Sequence, residues 1–130
     1  MRRVFLDANV LFSAAWRSDA GLARLWTLKN CELLSSRYAC EEARRNLPKP
    51  EQQQRLGQLV AGLRLVPDVT LGSLPGGIVL PEKDRPILLS AIRAKATHLL
   101  TGDRQHFGVL YGQTVSGVTV LRPADFIAGR

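Results

Sequence analysis

The sequence predicts an α/β domain, a three-layer α/β/α arrangement with a central parallel sheet. Three observations carry this reading. Short apolar runs alternate along the chain with longer segments whose apolar residues recur at helical spacing. Helical segments join the runs, and a parallel neighbour needs such a crossover. Hydrophobic residues make up 45% of the 130 residues, enough for a real core and too many for a disordered or fibrous chain. No internal repeat, low-complexity tract or linker divides the chain, so residues 1–130 read as one domain.

The elements follow in order. Residues 3–6 form a short buried strand that ends at Asp7. Residues 20–29 place Leu22, Leu25 and Trp26 at helical spacing. ELLS, 32–35, is a strand, and Ser36 caps a helix through YACEEARRNL that stops before Pro48 and Pro50. A helix over 51–63 lines up Leu56, Leu59, Val60 and Leu63, and LRLVP at 63–67 is the next strand. Residues 68–81 hold Gly72, Pro75, Gly76, Gly77 and Pro81 and read as an irregular loop. A helix starts near Asp84 with Ile87, Leu88, Ala91 and Ile92 on one stripe. THLLTGD at 97–103 is a strand ending in a turn. VTVLRP at 118–123 is the last strand, and a short helical tail follows from Pro123.

Charge narrows the partners. The net charge is +7, from 18 Lys and Arg against 11 Asp and Glu, and 14 of the basic residues are arginine. Arginine suits bidentate phosphate recognition, and a basic chain attracts polyanions. Cys31 and Cys40 fit no zinc spacing and no disulfide framework, so they are expected as reduced thiols. Asp7 and Asn9 interrupt any signal-peptide core, and no stretch is apolar enough to span a membrane. The expectation is a cytoplasmic protein with no membrane partner.

Four acids stand where sites form. In open parallel sheets, ligands bind at the carboxyl ends of strands. Asp7 follows the strand VFL, and Asp103 follows HLLTG. Either could equally cap the helix after it. Asp84 precedes Ile87 and Leu88 by three and four residues, which sets its side chain over the apolar stripe. It too could be a cap, with Pro86 in the first turn. The fourth acid is Glu41 or Glu42. Crowded carboxylates need protons or cations between them, and oxygen ligands suit Mg²⁺ or Mn²⁺ rather than zinc. A basic rim around such a centre fits a phosphodiester substrate.

Taken together, VFLDANVL, SSRYACEEARRNL, PEKDRPILLSAIRAKATHLLTGDRQHF and VTVLRPADF resemble the PIN-domain nucleases over essentially the whole chain. The resemblance implies a compact α/β/α domain and a metal-dependent ribonuclease that hydrolyses RNA. Many small bacterial members are toxins of VapC-type toxin–antitoxin pairs. Asp7, Glu42, Asp84 and Asp103 match the family's four acids, as catalytic residues and as ligands for Mg²⁺ or Mn²⁺; a shift of one residue would put Glu41 in place of Glu42. Asn9 and Thr101 match polar positions that orient ligands or water. Arg17, Arg44, Arg45, Arg85 and Arg104 lie close in sequence to the acids and are candidates for RNA-backbone contacts. His98 and His106 are expected in structural or surface roles. Phe12, Trp16 and Trp26 belong either to the core or to a dimer or antitoxin surface. RNA, an antitoxin and a second copy of the chain are the implied partners.

Rival classes fit less well. An aspartyl-nucleophile phosphatase wants a second acid two residues after the first, where Asn9 stands. A phosphoacceptor receiver wants paired acids and a late lysine that the chain lacks. A DNA nuclease of related architecture wants extra helices. The alternative within the family is a catalytically inactive PIN-like module that binds RNA or protein.

Overall fold

The first apolar run forms the middle of the sheet. Strand β1 (Arg2–Leu6) has a parallel neighbour on each side, and Val4, Phe5 and Leu6 expose no surface. Burial on both faces explains why this strand reads as a continuous apolar run rather than an alternating one. The computed structural model describes residues 1–129. Strands β2 (Cys31–Ser36), β3 (Arg64–Val66), β4 (His98–Leu100), β5 (Thr114–Val115) and β6 (Val118–Leu121) complete the sheet in the order β3-β2-β1-β4-β6-β5. Every pairing is parallel except that of β5 with β6.

The helices are α1 (Ala8–Ala15), α2 (Arg37–Asn46), α3 (Pro50–Ala61), α4 (Arg85–Arg93), α5 (Arg104–Phe107) and α6 (Pro123–Ala128). The Ser36 hydroxyl accepts from the Ala39 N–H at 3.2 Å and starts α2 where the sequence predicts. Pro50 opens α3, with the Gln52 side chain accepting from the Lys49 N–H at 3.0 Å. Helix α1 packs against α2 and α3, while α4 lies across β2 and β4. The chain steps outward from β1 to β2 to β3, then returns past β1 to β4. Right-handed crossovers run in opposite directions put their helices on opposite faces, which gives the expected layers. No helix among the described residues is long and apolar enough to cross a membrane.

Two elements differ from expectation. Residues Gly21–Thr27 form a 3₁₀ helix rather than an α-helix. Leu22, Leu25 and Leu28 recur every third residue, and in a 3₁₀ turn residues three apart eclipse. Strand β5 was not expected. It makes an edge hairpin with β6 through Ser116 and Gly117, both at positive φ (48° and 87°), the backbone of a type I′ turn. The loop over 68–81 is irregular, as its glycines and prolines predict. Leu80 is buried beneath it, and the Val69 N–H donates to the Ser90 hydroxyl at 2.9 Å.

Leu6 is the last residue of β1 and the floor under Asp7. Leu6→Ala is predicted to lower unfolding free energy by about 2–5 kcal/mol in urea denaturation, through lost transfer energy and a residual cavity. Val109→Ala, at an 86% exposed position, should stay within about 0.5 kcal/mol. Equal losses at the two sites would contradict the core described above.

Candidate functional site

The crevice between β1 and β4 is where the direction of strand order reverses, the place where open α/β sheets bind ligands. Asp7 stands at its base. Its N–H still pairs with the Leu100 carbonyl at 3.0 Å, and the chain then turns into α1. One carboxylate oxygen, Oδ1, accepts from the Ala8 N–H at 2.6 Å. The other, Oδ2, accepts from the Thr101 hydroxyl at 2.8 Å and from the Asn9 amide at 3.2 Å. Asp7 is thus both a helix cap and a buried acid, 4% exposed. Burial pushes its pKa up to about 6; the bonds from Thr101 and Ala8 oppose this, and the Asp84 and Glu42 carboxylates add to it.

Thr101 is the hub. Its hydroxyl donates to Asp7 and accepts from the Asn9 amide at 3.3 Å and from the Asp103 N–H at 3.1 Å, which uses its full capacity. Asn9 Oδ1 in turn accepts from the Gly102 N–H at 2.7 Å. A Cβ on Gly102 would stand 3.3 Å from that oxygen, so a glycine lets the turn close on Asn9. Tyr111 donates to the Thr101 carbonyl at 2.8 Å, and Ser35 to the Leu6 carbonyl at 2.8 Å. Both strand ends are braced from behind.

The other acids arrive on different elements. Asp84 sits at the start of α4, yet its side chain makes no cap; it is only 9% exposed and turns toward the crevice. Its Oδ2 is buried without a hydrogen bond. Asp103 begins α5, where Oδ1 caps the His106 N–H at 3.1 Å and Oδ2 meets His106 Nδ1 at 2.7 Å. His106 Nδ1 also lies 2.9 Å from Asp84 Oδ2. At hydrogen-bonding angles that nitrogen serves Asp103 alone, so the contact with Asp84 is an electrostatic one. Glu42 is half-buried on α2 and lines a cavity of about 400 Å³ with Ala8, Asn9, Phe12, Ala43 and Asn46. Glu41 instead faces solvent and pairs with Arg44 at 2.9 Å.

His106, expected in a structural or surface role, stands instead beside two of the acids. A signal was present, since an acid that caps a helix and a histidine three residues later share one side of the first turn. His98 lies at the other end of β4, edge-on to Phe126 with ring centroids 5.0 Å apart. The arginines divide. Arg44 is tied to Glu41, Arg17 to Asp19 at 3.3 Å, and Arg85 to the Gly72 carbonyl at 2.9 Å. Arg45 and Arg104 are exposed and make no ion pair among the described residues. Trp26 is half-buried and donates to the Leu59 carbonyl at 2.8 Å, whereas Trp16 stacks obliquely on Phe12 and is 44% exposed.

These residues fit a hard divalent cation. Asp84 Oδ2 is an orphaned buried acceptor, Asp7 is a carboxylate held where ionisation is disfavoured, and most of the donors are carboxylate oxygens. Asp84, Asp103 and His106 offer ligand atoms within 4.8 Å of one another.

The structure is similar to a chain of VapBC2 from Rickettsia felis, crystallised bound to a DNA fragment from the complex's promoter. The TM-score is 0.69 at 17% identity, covering 92% of this chain and 98% of that chain. At that identity the likeness establishes the fold, a mostly parallel sheet flanked by helices. No protein-family model and no curated protein matches the sequence.

A carboxyl group with a raised folded-state pKa holds its proton more tightly folded than unfolded. Stability is therefore full below pH 3.8 and is lost as Asp7 ionises toward pH 6. At about 1.4 kcal/mol per pH unit, the loss reaches about 3 kcal/mol by pH 7 in metal-free protein. In EDTA, Asp7→Asn is predicted to gain about 1–3 kcal/mol on wild type between pH 4 and pH 7.5, read by urea denaturation. A difference that does not change with pH would show that Asp7 carries no such cost.

Proposed function

We propose that this chain is a metal-dependent endoribonuclease of the PIN type, a single nuclease domain over residues 1–130 and the toxin of a VapC-type toxin–antitoxin pair. The observation that carries the reading is the gathering of acids at the switch point. Asp84 and Glu42 are near enough to raise the pKa of Asp7, in a chain whose net charge is +7. The fold shared with a VapBC2 chain supports the toxin assignment. An antitoxin partner, a homodimer and a cytoplasmic setting go with it.

Asp7, Glu42, Asp84 and Asp103 would hold Mg²⁺ or Mn²⁺. Such an ion, when bound, supplies Lewis-acid chemistry: it neutralises charge growing on phosphate oxygens and makes water more acidic. The chain's own residues do the positioning. Thr101 and Asn9 fix the Asp7 carboxylate and the 101–103 turn, so the acids keep their aim without rearranging. Exposed arginines beside the crevice, Arg45 and Arg104 first, would take the phosphates on either side of the scissile bond. Arg17, Arg44 and Arg85 would have to leave their present partners to do so.

End-labelled single-stranded RNA and tRNA, incubated with purified protein, should be cleaved with Mg²⁺ or Mn²⁺ and left intact with EDTA. Asp7→Asn and Asp84→Asn should each reduce cleavage by about a hundredfold or more, the scale of losing a charge-stabilising group. Cleavage that survives both substitutions would refute this site. Tight RNA binding without cleavage would favour the inactive binding module.

A further inference from the structure

The acids expected from sequence offer only oxygen. The folded chain adds a nitrogen. His106 Nδ1 stands 2.7 Å from Asp103 Oδ2 and 2.9 Å from Asp84 Oδ2. Two ligands at right angles on an ion with bonds of about 2.1 Å are separated by about 3 Å, close to both spacings.

Hydrogen bonding accounts for half of this arrangement. The ring nitrogen has hydrogen-bond geometry toward Asp103 and not toward Asp84. Asp84 Oδ2 therefore points at the cluster, in a side chain more than nine-tenths buried, with no donor of its own. A buried acceptor left in that state is costly, and a cation in the cluster would satisfy it. His106 is held for this by its own helix. Asp103 caps the His106 N–H, which brings residues 103 and 106 to one side of the turn and swings the ring back over Oδ2. The ring is 25% exposed, which leaves a path for an ion.

We propose that His106 Nδ1 is itself a metal ligand, completing a two-carboxylate, one-imidazole set with Asp84 and Asp103, and that the centre takes Mn²⁺ in preference to Mg²⁺. This rests on the acidic metal centre of the nuclease reading and adds the donor that sets its selectivity. Mg²⁺ keeps to oxygen and dehydrates reluctantly, while first-row transition ions accept imidazole beside carboxylates. The nitrogen coordinates through its lone pair, so in the metal-bound ring the hydrogen sits on Nε2.

Manganese itself is the probe. Electron paramagnetic resonance of Mn²⁺ titrated into the wild-type protein gives its affinity, Mg²⁺ competition gives the selectivity, and electron spin-echo modulation detects a directly bound ¹⁴N. Wild type is expected to prefer Mn²⁺ and to show nitrogen coupling. His106→Gln, checked for folding by circular dichroism in EDTA, should lose the coupling. Its Mn²⁺ affinity should fall about ten- to a hundredfold, a range met even for groups one layer from an ion, and its Mg²⁺ affinity should fall less. If the variant fails to fold, the wild-type coupling still decides. Bound Mn²⁺ with no nitrogen coupling would overturn the proposal and leave the acidic centre standing. No Mn²⁺ binding by wild type would overturn both.

Discussion

The hydrogen bond from the Thr101 hydroxyl to the Asp7 carboxylate, at 2.8 Å, ties together the ends of the two strands between which the sheet reverses direction. Most of the site hangs on that pair. Asp7 begins α1, and through α1 it meets α2, which carries Glu42. Thr101 accepts the Asp103 N–H and so begins the turn that carries Asp103 and His106. The two residues are also fastened to the sheet itself, since the Asp7 N–H pairs with β4 and the Thr101 N–H donates to the Leu121 carbonyl at 3.1 Å. A displacement at this seam would move Asp7, Asp103 and His106 together. A seam built from adjacent parallel strands is rigid enough to hold them.

The seam is held at a thermodynamic cost. Domains of this size have a net stability of about 5–15 kcal/mol. Ionising a carboxyl at the bottom of a crevice removes a noticeable part of it, even with three donors arranged around the group. A chain selected for stability alone would do better with a neutral residue at position 7. On the proposed reading, a positive occupant of the crevice would turn this destabilising term into a binding term.

What could be read from the sequence follows how local each feature is. Asp7, Asp84 and Asp103 were legible because strand ends and helix starts can be recognised within a few residues. The aim of Asp84 into the crevice was legible from its spacing to Ile87 and Leu88. Glu41 and Glu42 could not be separated, because both lie near the rim of one helix; the Arg44 partnership that turns Glu41 outward is a matter of rotamers. The 3₁₀ helix at Gly21–Thr27 has leucines at a period of three, but Trp26 beside Leu25 supplies the i, i+3, i+4 pattern that also suits an α-helix. Strand β5 is two residues long, too short for any periodic signal. His106 is not legible because its contact with Asp84 joins residues far apart in the chain.

The acids are compensated in two different ways, and the difference assigns them different work. Asp7 has its hydrogen bonds from within the chain, so its position does not wait on an ion. Asp84 has Lys83 Nζ at 3.4 Å from Oδ1 and the His106 ring at 2.9 Å from Oδ2, and Oδ2 receives no hydrogen bond. On the proposed reading, a cation would gain least new coordination energy per oxygen at Asp7 and most at Asp84 Oδ2, which has no hydrogen bond to give up. The site reads as a fixed anchor at the strand seam with a receptive wall of Asp84, Asp103 and His106 opposite. Glu42 approaches from α2, on the lining of a cavity of about 400 Å³. On the reading proposed above, the repulsion among these carboxylates is what a cation would relieve, and it would give a basic protein a local preference for positive charge.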